Sequence, residues 1–217
     1  TIEDWLQVFT DTTGRDLGQF AKWYSQAGTP RVTVTDSFAN GTYKLHLRQD
    51  TPATPGQEQK EPLLIPIAVG LLDDKGAEVM PTTVLELSET AQTFDFPELA
   101  STPIPSILRG FSAPVVLQYD ASDNVCAKLL AHDTDPFNKW EAGRTLAQSL
   151  LVRMVTQNAP PATAYLDGLA AVLRDDSLDP AFRALLLRLP SEEDTAQSIF
   201  DGGGTPDPSA INQAHET

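Results

Sequence analysis

The three histidines of the chain, His46, His132 and His215, are the side chains that could hold a catalytic metal ion. A helical zinc site places two histidines four residues apart with a glutamate between them. Imidazoles one turn apart converge on one metal, and the carboxylate activates its bound water. No histidine here has such a partner, because Asp50 lies four residues after His46 and Pro136 four residues after His132. The sequence therefore predicts that none of the three is a metal ligand.

Four other features match part of a catalytic or binding signature. Cys126 has no histidine at motif spacing and is predicted to be a small core residue. The triplet Gly-Phe-Ser at 110–112 lacks the second glycine of a nucleophile elbow, and the glycines at 202–204, without a lysine, predict a flexible linker. The adjacent acidic pairs at 73–74 and 175–176 predict turns and helix ends, not an acid/base pair. We therefore predict no catalytic, cofactor-binding or metal-binding residue.

The composition excludes several classes of partner. The 217 residues are 41% hydrophobic and 21% charged, which is ordinary for a chain with enough apolar residues for a core. Thirty acidic against 15 basic residues give a net charge of -15, which disfavours nucleic acid and anionic lipid as partners. No run of about 18 apolar residues predicts a membrane span. The single cysteine cannot form an internal disulfide, so we expect a reducing, cytoplasmic location.

Residues 1–30 predict a helical hairpin. Thr1 and Asp4 form a capping box for a first helix, whose predicted buried residues are Ile2, Trp5, Leu6 and Phe9. Asp16 and Gln19 predict a second capping box, and Gly28 a left-handed end to that helix. The face predicted for the second helix comprises Leu17, Phe20, Ala21 and Tyr24.

From Arg31 the hydrophobic period changes from 3.6 to 2, which predicts strands. Asn40-Gly41 predicts the turn of a hairpin, and residues 51–62 an exposed loop. The apolar run at 63–72 predicts a buried strand, in which Pro66 indicates an edge or a bulge. Further strands are predicted at 77–80, 82–88, 92–96, 107–110 and 114–120. Seven or eight strands in this length predict an immunoglobulin-like sandwich.

After residue 120 the pattern is helical to the end of the chain. Asp-Pro pairs at 135–136, 179–180 and 207–208 each predict a capped helix start. Two of the helices are predicted to bury Tyr165, Leu166, Leu169, Val172 and Leu173, and Phe182, Leu185, Leu186 and Leu189. Successive helices with short loops predict an α-solenoid, so the fold class is mixed and multi-domain.

Several stretches in the same order resemble the bacterial aminopeptidase N family of zinc metallopeptidases (gluzincins). They are DLGQFAKWYSQAGTP at 16–30, TPATPGQ and PLLIPIAV within 51–69, GFSAPVVLQY at 110–119, DPFNKWEAGR at 135–144 and RDDSLDPAFRALLLRLPSE at 174–192. The resemblance implies that residues 1–30 are the helical end of the catalytic domain. It implies that 31–121 are an immunoglobulin-like spacer, and that 122–217 are the truncated start of a helical superhelix.

In that family the superhelix roofs the chamber through which peptides reach the zinc ion. The resemblance therefore implies a non-catalytic segment of an enzyme that releases N-terminal amino acids, with zinc and peptide substrates bound by the parent protein. Its expected partners are the catalytic domain and the rest of the superhelix, within one chain. The family's HExxH zinc motif and its downstream glutamate ligand have no counterpart here, so no catalytic or metal-binding residue is carried over.

Two alternatives remain open at this point. The chain could be a free-standing sandwich and helical protein-binding module, or a helical scaffold whose solenoid face binds a partner. If the chain is cut from a longer protein, apolar residues at both ends are exposed. We then expect copies to associate through Trp5, Phe9 or the Ile199-Phe200 end, and disorder or rearrangement at residues 202–204.

Overall fold

The computed structural model of the protein describes residues 1–217, which form two compact units. Unit 1 comprises Thr1–Leu71 and Val79–Asp120, and unit 2 comprises Leu72–Glu78 and Ala121–Thr217. Strands are confined to the first part of the chain and the second part is helical, which confirms the predicted mixed fold class. No helix is both long enough and apolar enough to span a lipid bilayer.

Seven strands form two sheets around one hydrophobic core. They are β1 (Arg31–Ala39), β2 (Thr42–Asp50), β3 (Ile65–Leu72), β4 (Glu78–Leu87), β5 (Ala91–Phe96), β6 (Ile104–Ile107) and β7 (Val116–Tyr119). One sheet has the order β5-β2-β1-β7, with β1 antiparallel to β2 and parallel to β7, and the other has the order β4-β3-β6. Alternate residues of β2 are buried, namely Tyr43, Leu45 and Leu47, and they pack in one cluster with Ile65, Ile67 and Leu87 of the second sheet.

The turn between β1 and β2 is the one that the sequence predicts. Asn40 and Gly41 both have positive φ, 51° and 73°, and Ala39 pairs directly with Thr42. Two central residues in the left-handed region define a type I′ turn, whose twist matches that of the flanking strands.

The prediction that Pro66 marks an edge or a bulge is wrong about the edge, because β3 is the central strand of its sheet. The Ser112 hydroxyl donates to Pro66 O (3.0 Å), and the N–H of Ala68 donates to Ser112 Oγ (2.9 Å). One hydroxyl thus pairs with two backbone groups beside the proline. A serine 46 residues away in the chain makes the proline tolerable at this position.

Two predicted strand boundaries are also wrong. The strands predicted at 77–80 and 82–88 are the single strand β4, which continues through Pro81. The strand predicted at 107–110 is a 3₁₀ turn, Arg109–Phe111, that follows β6. Leu108 and Phe111 have positive φ, 64° and 51°, and left-handed backbone cannot continue a strand.

Helix α1 (Ile2–Thr13) has the predicted capping box, but its predicted buried face is largely exposed. Leu6 is buried, whereas Ile2, Trp5 and Phe9 are 44%, 52% and 44% exposed. The rings of Trp5 and Phe9 contact each other edge to face, with centroids 4.6 Å apart. The periodicity of the helix is therefore correct, but unit 1 covers only one edge of its apolar face.

The second predicted helix is mostly absent. Only α2 (Lys22–Ser25) is helical, and Asp16 accepts a hydrogen bond from the N–H of Gly18 instead of capping a longer helix. The side chain of Gln19, predicted to complete a capping box, instead donates to Pro62 O and Ser88 O. Long-range hydrogen bonds have replaced the local ones.

Unit 2 contains six helices. They are α3 (Asp123–His132), α4 (Pro136–Gln157), α5 (Thr163–Arg174), α6 (Pro180–Leu186), α7 (Glu192–Asp201) and α8 (Pro208–Glu216). The side chains of Asp135, Asp179 and Asp207 each accept backbone N–H groups, with proline at the first helical position. The three predicted Asp-Pro helix starts are therefore confirmed.

Helices α3, α4 and α5 approach closely at Leu130, which is fully buried. A Cβ added to Gly143 of α4 or to Gly168 of α5 would lie 2.9 Å from a methyl carbon of Leu130. The predicted buried face of α5 is only partly correct, since Tyr165 and Val172 are buried while Leu166 and Leu173 are more than half exposed. Of the residues predicted to be buried by the helix at α6, Leu186 is buried and Phe182 is partly buried. Leu185 is exposed, and so is Leu189, which lies beyond the end of α6.

The glycines at 202–204 form a defined turn at the end of α7, contrary to the predicted linker. The N–H groups of Gly203 and Gly204 donate to Phe200 O and Ile199 O, both at 2.9 Å. Helix α8 packs on α4 and α7, and Ile199 is buried, whereas Phe200 is 65% exposed. Of the two residues predicted to be exposed at this end, only Phe200 is.

Candidate functional site

The structure does not bring the candidate metal ligands together. The Nδ1 atom of His46 lies 2.7 Å from Thr93 Oγ1, and the Nε2 atom of His215 lies 3.4 Å from Thr195 Oγ1. His132 is exposed at the end of α3, and its ring lies against Gly76. In residues 1–217 no group of three or more His, Cys, Asp or Glu side chains is arranged to hold a metal ion. These residues do not fit the zinc centre that the resemblance assigns to the parent protein, and the absence of site residues stays a prediction.

Cys126 lies on α3 and is almost completely buried. Burial, with smaller contributions from the charges of Asp123 and Glu141, raises the pKa of its thiol to about 11. A thiol with such a pKa is about 0.1% ionised at pH 8, against about a quarter for an unperturbed cysteine.

We expect native Cys126 to react with iodoacetamide at pH 8 at least about a hundredfold more slowly than the same chain in urea, because both burial and the raised pKa withhold the thiolate. Mass spectrometry of the alkylated protein over time measures both rates. The native rate should rise with pH up to about 11. A native rate equal to the unfolded rate would show that the thiol is accessible and reactive.

A set of hydrogen bonds in unit 1 connects residues 19–28 to residues 49–64, and we term these two segments the joint. At its first end, Gln19 Nε2 donates to Pro62 O (3.3 Å) and Ser88 O (2.6 Å). Trp23 Nε1 donates to Leu64 O (2.8 Å), and the indole packs against the sandwich core. Gln19 and Trp23, which the sequence places in a helix, thus donate hydrogen bonds to backbone carbonyls just before β3 and just after β4.

The middle of the joint is a reciprocal pair between Gln26 and Glu61. Gln26 Nε2 donates to Glu61 O (3.0 Å), and the backbone N–H of Glu61 donates to Gln26 Oε1 (2.7 Å). The side-chain amide of Gln26 thus pairs with both backbone groups of Glu61, as a residue of a neighbouring strand would. Lys22 forms an ion pair with the Glu61 carboxylate, and its hydrogen bond and charge lower the pKa of that carboxyl.

The other end of the joint is held by Gln57 and Lys60. Gln57 Nε2 donates to Ser25 O (2.7 Å), and the N–H of Ala27 donates to Gln57 Oε1 (2.8 Å). Lys60 Nζ donates to Ala27 O, Thr54 Oγ1 and Gln57 Oε1 at 2.7 to 2.9 Å. All three ammonium hydrogens are therefore used within the joint.

Gln49, at the edge of the joint, is a buried polar residue with every hydrogen-bonding group engaged. Its Nε2 donates to Leu63 O (2.9 Å), Glu89 O (3.0 Å) and Leu87 O (3.4 Å). Its Oε1 accepts from the N–H of Leu63 (2.8 Å). The amide connects β2 to Leu63, just before β3, to the last residue of β4 and to Glu89 after it.

The hydrogen bonds of the joint hold its two segments together. Its glutamines are hydrogen-bonded, Lys60 donates three hydrogen bonds, and Lys22 is paired with Glu61, so none of these side chains is free to act as a nucleophile, acid or base. Two of the stretches that carry the resemblance, 16–30 and 51–69, contain most residues of the joint, whereas the sequence predicts only an exposed loop at 51–62. A usable signal was the recurrence of Gln19, Gln26 and Gln57 among turn residues, since glutamine can pair with backbone as both donor and acceptor.

We expect Gln57→Ala to lower the free energy of unfolding by about 1–2 kcal/mol, because three partners at the joint lose a hydrogen bond. Urea unfolding measures the change, and hydrogen exchange should quicken at the amide of Ala27. The matched control is Gln7→Ala, whose side chain bonds only Asp11 on the exposed face of α1. Equal effects of the two substitutions would contradict a holding role for Gln57.

A β-sandwich followed by a set of short-looped helices places the protein among those that combine an immunoglobulin-like domain with helical repeats. Residues 28–120 match DUF3458, a domain of unknown function with an Ig-like fold, and residues 123–217 match DUF3458_C, a domain of unknown function described as ARM repeats. The predicted sandwich and solenoid are therefore confirmed as fold classes.

Three bacterial relatives of the chain are aminopeptidases. The chain is 38% identical to aminopeptidase N of Escherichia coli and 42% identical to that of Caulobacter vibrioides, over its full length and over 26% and 25% of theirs. Aminopeptidase N of Haemophilus influenzae is 34% identical over 99% of this chain and 26% of its own. The crystal structure of Legionella pneumophila aminopeptidase A in complex with aspartic acid covers the whole chain with a TM-score of 0.80 at 29% identity, over 24% of its own chain.

The chain contains matches to both DUF3458 domains in this order, and it is homologous to a region of aminopeptidase N. It spans about a quarter of the length of the curated relatives that it matches.

Proposed function

We propose that the chain is a non-catalytic segment of a zinc-dependent aminopeptidase that releases N-terminal amino acids from peptides. In this proposal the segment links the catalytic domain to the helical domain that roofs the active-site chamber. The observation that carries the proposal is whole-chain identity of 34–42% to aminopeptidase N from three bacteria, with only about a quarter of each relative covered.

We propose the division into 1–30 as the end of the catalytic domain, 31–121 as the spacer and 122–217 as the start of the helical domain. The family matches at 28–120 and 123–217 support boundaries near these positions. The joint supports the linking role, because hydrogen bonds from side chains to backbone carbonyls fix residues 19–28 to the sandwich and leave little freedom for hinge motion. A domain preceding α1 would then be held at a defined orientation.

The partners that we propose lie within the longer protein. The exposed apolar face of α1 would contact the catalytic domain, and the helical unit would contact further helices of its own domain. Zinc and peptide substrates would be bound by the catalytic domain. The lone, buried Cys126 supports a cytoplasmic location, where thiols stay reduced.

The purified chain tests the non-catalytic part of the proposal. We expect less than stoichiometric zinc after dialysis and no hydrolysis of an aminoacyl anilide, because no cluster of ligands exists to hold the metal. Zinc analysis and a colorimetric assay with and without a chelator measure both. Chelator-sensitive turnover by the purified chain would overturn the proposal. So would one tightly bound zinc ion per chain.

We also expect the isolated chain to self-associate through α1, because Trp5 and Phe9 present an edge-to-face aromatic pair to solvent. Sedimentation should show a concentration-dependent dimer that the double substitution Trp5→Ser with Phe9→Ser weakens. The control is Val84→Ser, an exposed apolar residue on β4. A monomer at high concentration would favour the alternative function, a free-standing binding module without an enzymatic role.

A further inference from the structure

The turn between β1 and β2 places an unpaired asparagine side chain next to an unpaired backbone amide. Asn40 is exposed, and its side-chain amide has no hydrogen-bond partner. The N–H of Gly41 has no partner either, whereas the carbonyl of Gly41 accepts a hydrogen bond from the N–H of Leu99 (2.9 Å). The Gly41 nitrogen becomes a nucleophile when it loses its proton. The carbonyl carbon of the Asn40 side chain, Cγ, is an electrophile that this nitrogen can reach by closing a five-membered ring.

The other four asparagines of the chain lack this arrangement. They are Asn124, Asn138, Asn158 and Asn212. The residue after each of them carries a side chain that crowds the attack, and its N–H is already hydrogen-bonded within a helix or at a helix end. Asn158 is the nearest comparison, because its backbone is also left-handed, with φ 53°. There, however, the N–H of Ala159 donates to Arg153 O (3.3 Å).

The type I′ turn at Asn40-Gly41 is one peptide rotation away from the geometry that ring closure needs. In a type I′ turn the nitrogen of the second central residue lies roughly opposite the Cβ of the first, viewed along the Cα–C bond. In a type II′ turn φ of the first residue stays at about +60° while ψ is about -120°, which brings that nitrogen beside Cβ. Both turn types fit a two-residue hairpin. The peptide plane between Asn40 and Gly41 can therefore rotate while β1 and β2 stay paired.

We propose that Asn40 is a site of spontaneous deamidation in the folded chain. The Gly41 nitrogen gives its proton to a solvent base and attacks Cγ of Asn40. The bond from Cγ to Nδ2 breaks, and Nδ2 takes up a proton and leaves as ammonia, so that a succinimide ring remains. Solvent water then opens the ring. Attack at Cγ gives aspartate, and attack at the backbone carbonyl carbon of residue 40 gives isoaspartate, in which the main chain runs through Cβ and Cγ.

The isoaspartate product loosens the hairpin. It adds one atom to the backbone of a turn in which Ala39 pairs directly with Thr42. A two-residue loop fixes the register of its strands, so a longer turn no longer matches that pairing. The next residue of β2, Tyr43, is fully buried in the sandwich core. The fraction of chains with a loosened hairpin therefore rises with the age of the protein, and this inference does not depend on the peptidase assignment.

Ageing of the full chain at mildly alkaline pH, followed by trypsin digestion and tandem mass spectrometry, tests the proposal. The peptide from Val32 to Lys44 contains Asn40 and no other asparagine or glutamine, so the mass gain of one deamidation there identifies the residue. We expect Asn40 to deamidate at least about tenfold faster than each of the other four asparagines, since breaking the hydrogen bond of the attacking N–H costs them about that factor in rate. The rate should rise with pH, because the attacking nitrogen must lose its proton.

Two variants provide the controls. Asn40→Gly keeps a turn that glycine pairs favour and removes the amide, so its 32–44 peptide should keep its mass. Asn40→Asp carries the added charge without the extra backbone atom. Aged chains that contain isoaspartate, purified by ion exchange, should show hydrogen exchange at the amides of Ala39 and Thr42 at least about tenfold faster than Asn40→Asp. Deamidation of Asn40 no faster than that of the other four asparagines would overturn the proposal, and so would isoaspartate chains that exchange like Asn40→Asp.

Discussion

Leu130→Ala is expected to lower the free energy of unfolding by about 3–5 kcal/mol, the upper range for a leucine truncated in a core. Leu130 is fully buried where α3, α4 and α5 meet. Its methyl groups fill the space that Gly143 and Gly168 leave open, with no side chain on either glycine to relax into the cavity. Poor relaxation makes the residual cavity large and therefore costly.

Urea unfolding followed by circular dichroism measures this change. The matched control is Leu166→Ala, the same substitution at a residue of α5 that is 53% exposed, where we expect a loss below about 1 kcal/mol. A loss of that small size at Leu130 as well would mean that the three helices do not depend on this contact.

Gly70→Ala is expected to cost about 2–4 kcal/mol, because a side chain at this position has no room beside a buried arginine. A Cβ on residue 70 would lie 2.2 Å from Arg109 Cζ and 2.4 Å from its Nη1. Arg109 is buried, with Nε donating to Ser106 Oγ (2.8 Å) and Nη1 to Thr82 Oγ1 (2.9 Å). Displacing the guanidinium breaks these hydrogen bonds within the core of unit 1.

A double-mutant cycle identifies the cause. Gly70→Ala should cost much less in an Arg109→Met background, where the guanidinium is gone. The control is Gly202→Ala, whose added Cβ would meet its neighbours at ordinary distances of 3.4 and 3.5 Å. An unchanged cost of Gly70→Ala in the Arg109→Met background would locate the strain in the backbone of β3 instead.

The sequence predicts best those features that residues close together in the chain determine. The capping pair Thr1 and Asp4, the three Asp-Pro helix starts and the Asn40-Gly41 turn all form as expected, since each depends on groups within four residues. The alternation in β2 likewise identifies its buried face. Local geometry and periodicity suffice for such features.

Features that depend on distant residues were not predictable in this way. The spacing of Asp16 and Gln19 predicts a capping box, whereas the acceptors of Gln19 in the structure, Pro62 O and Ser88 O, are 43 and 69 residues away. Pro66 is accommodated by Ser112, which no local pattern connects to it. Periodicity identified the apolar faces of α1 and α5, but it cannot indicate whether other parts of the chain cover Trp5 or Leu166.

In the candidate site, too, local features are predictable from the sequence and long-range contacts are not. The resemblance includes both segments of the joint, but of the helix predicted between Asp16 and Gly28 only Lys22–Ser25 is helical. The pairing of Gln26 with Glu61 and of Gln57 with Ser25 and Ala27 requires the folded chain, because nothing in their spacing specifies the partner.

The most direct test of the central claim is the turnover of a hybrid enzyme. Residues 1–217 would replace the matching region, 26% of the chain, in aminopeptidase N of Escherichia coli, and kcat/KM for an aminoacyl anilide would be compared with that of the unaltered enzyme. If the chain is a non-catalytic linking segment of this enzyme class, the hybrid should bind zinc and retain kcat/KM within about tenfold, a difference of about 1.4 kcal/mol. A folded, zinc-loaded hybrid without measurable turnover would contradict the claim.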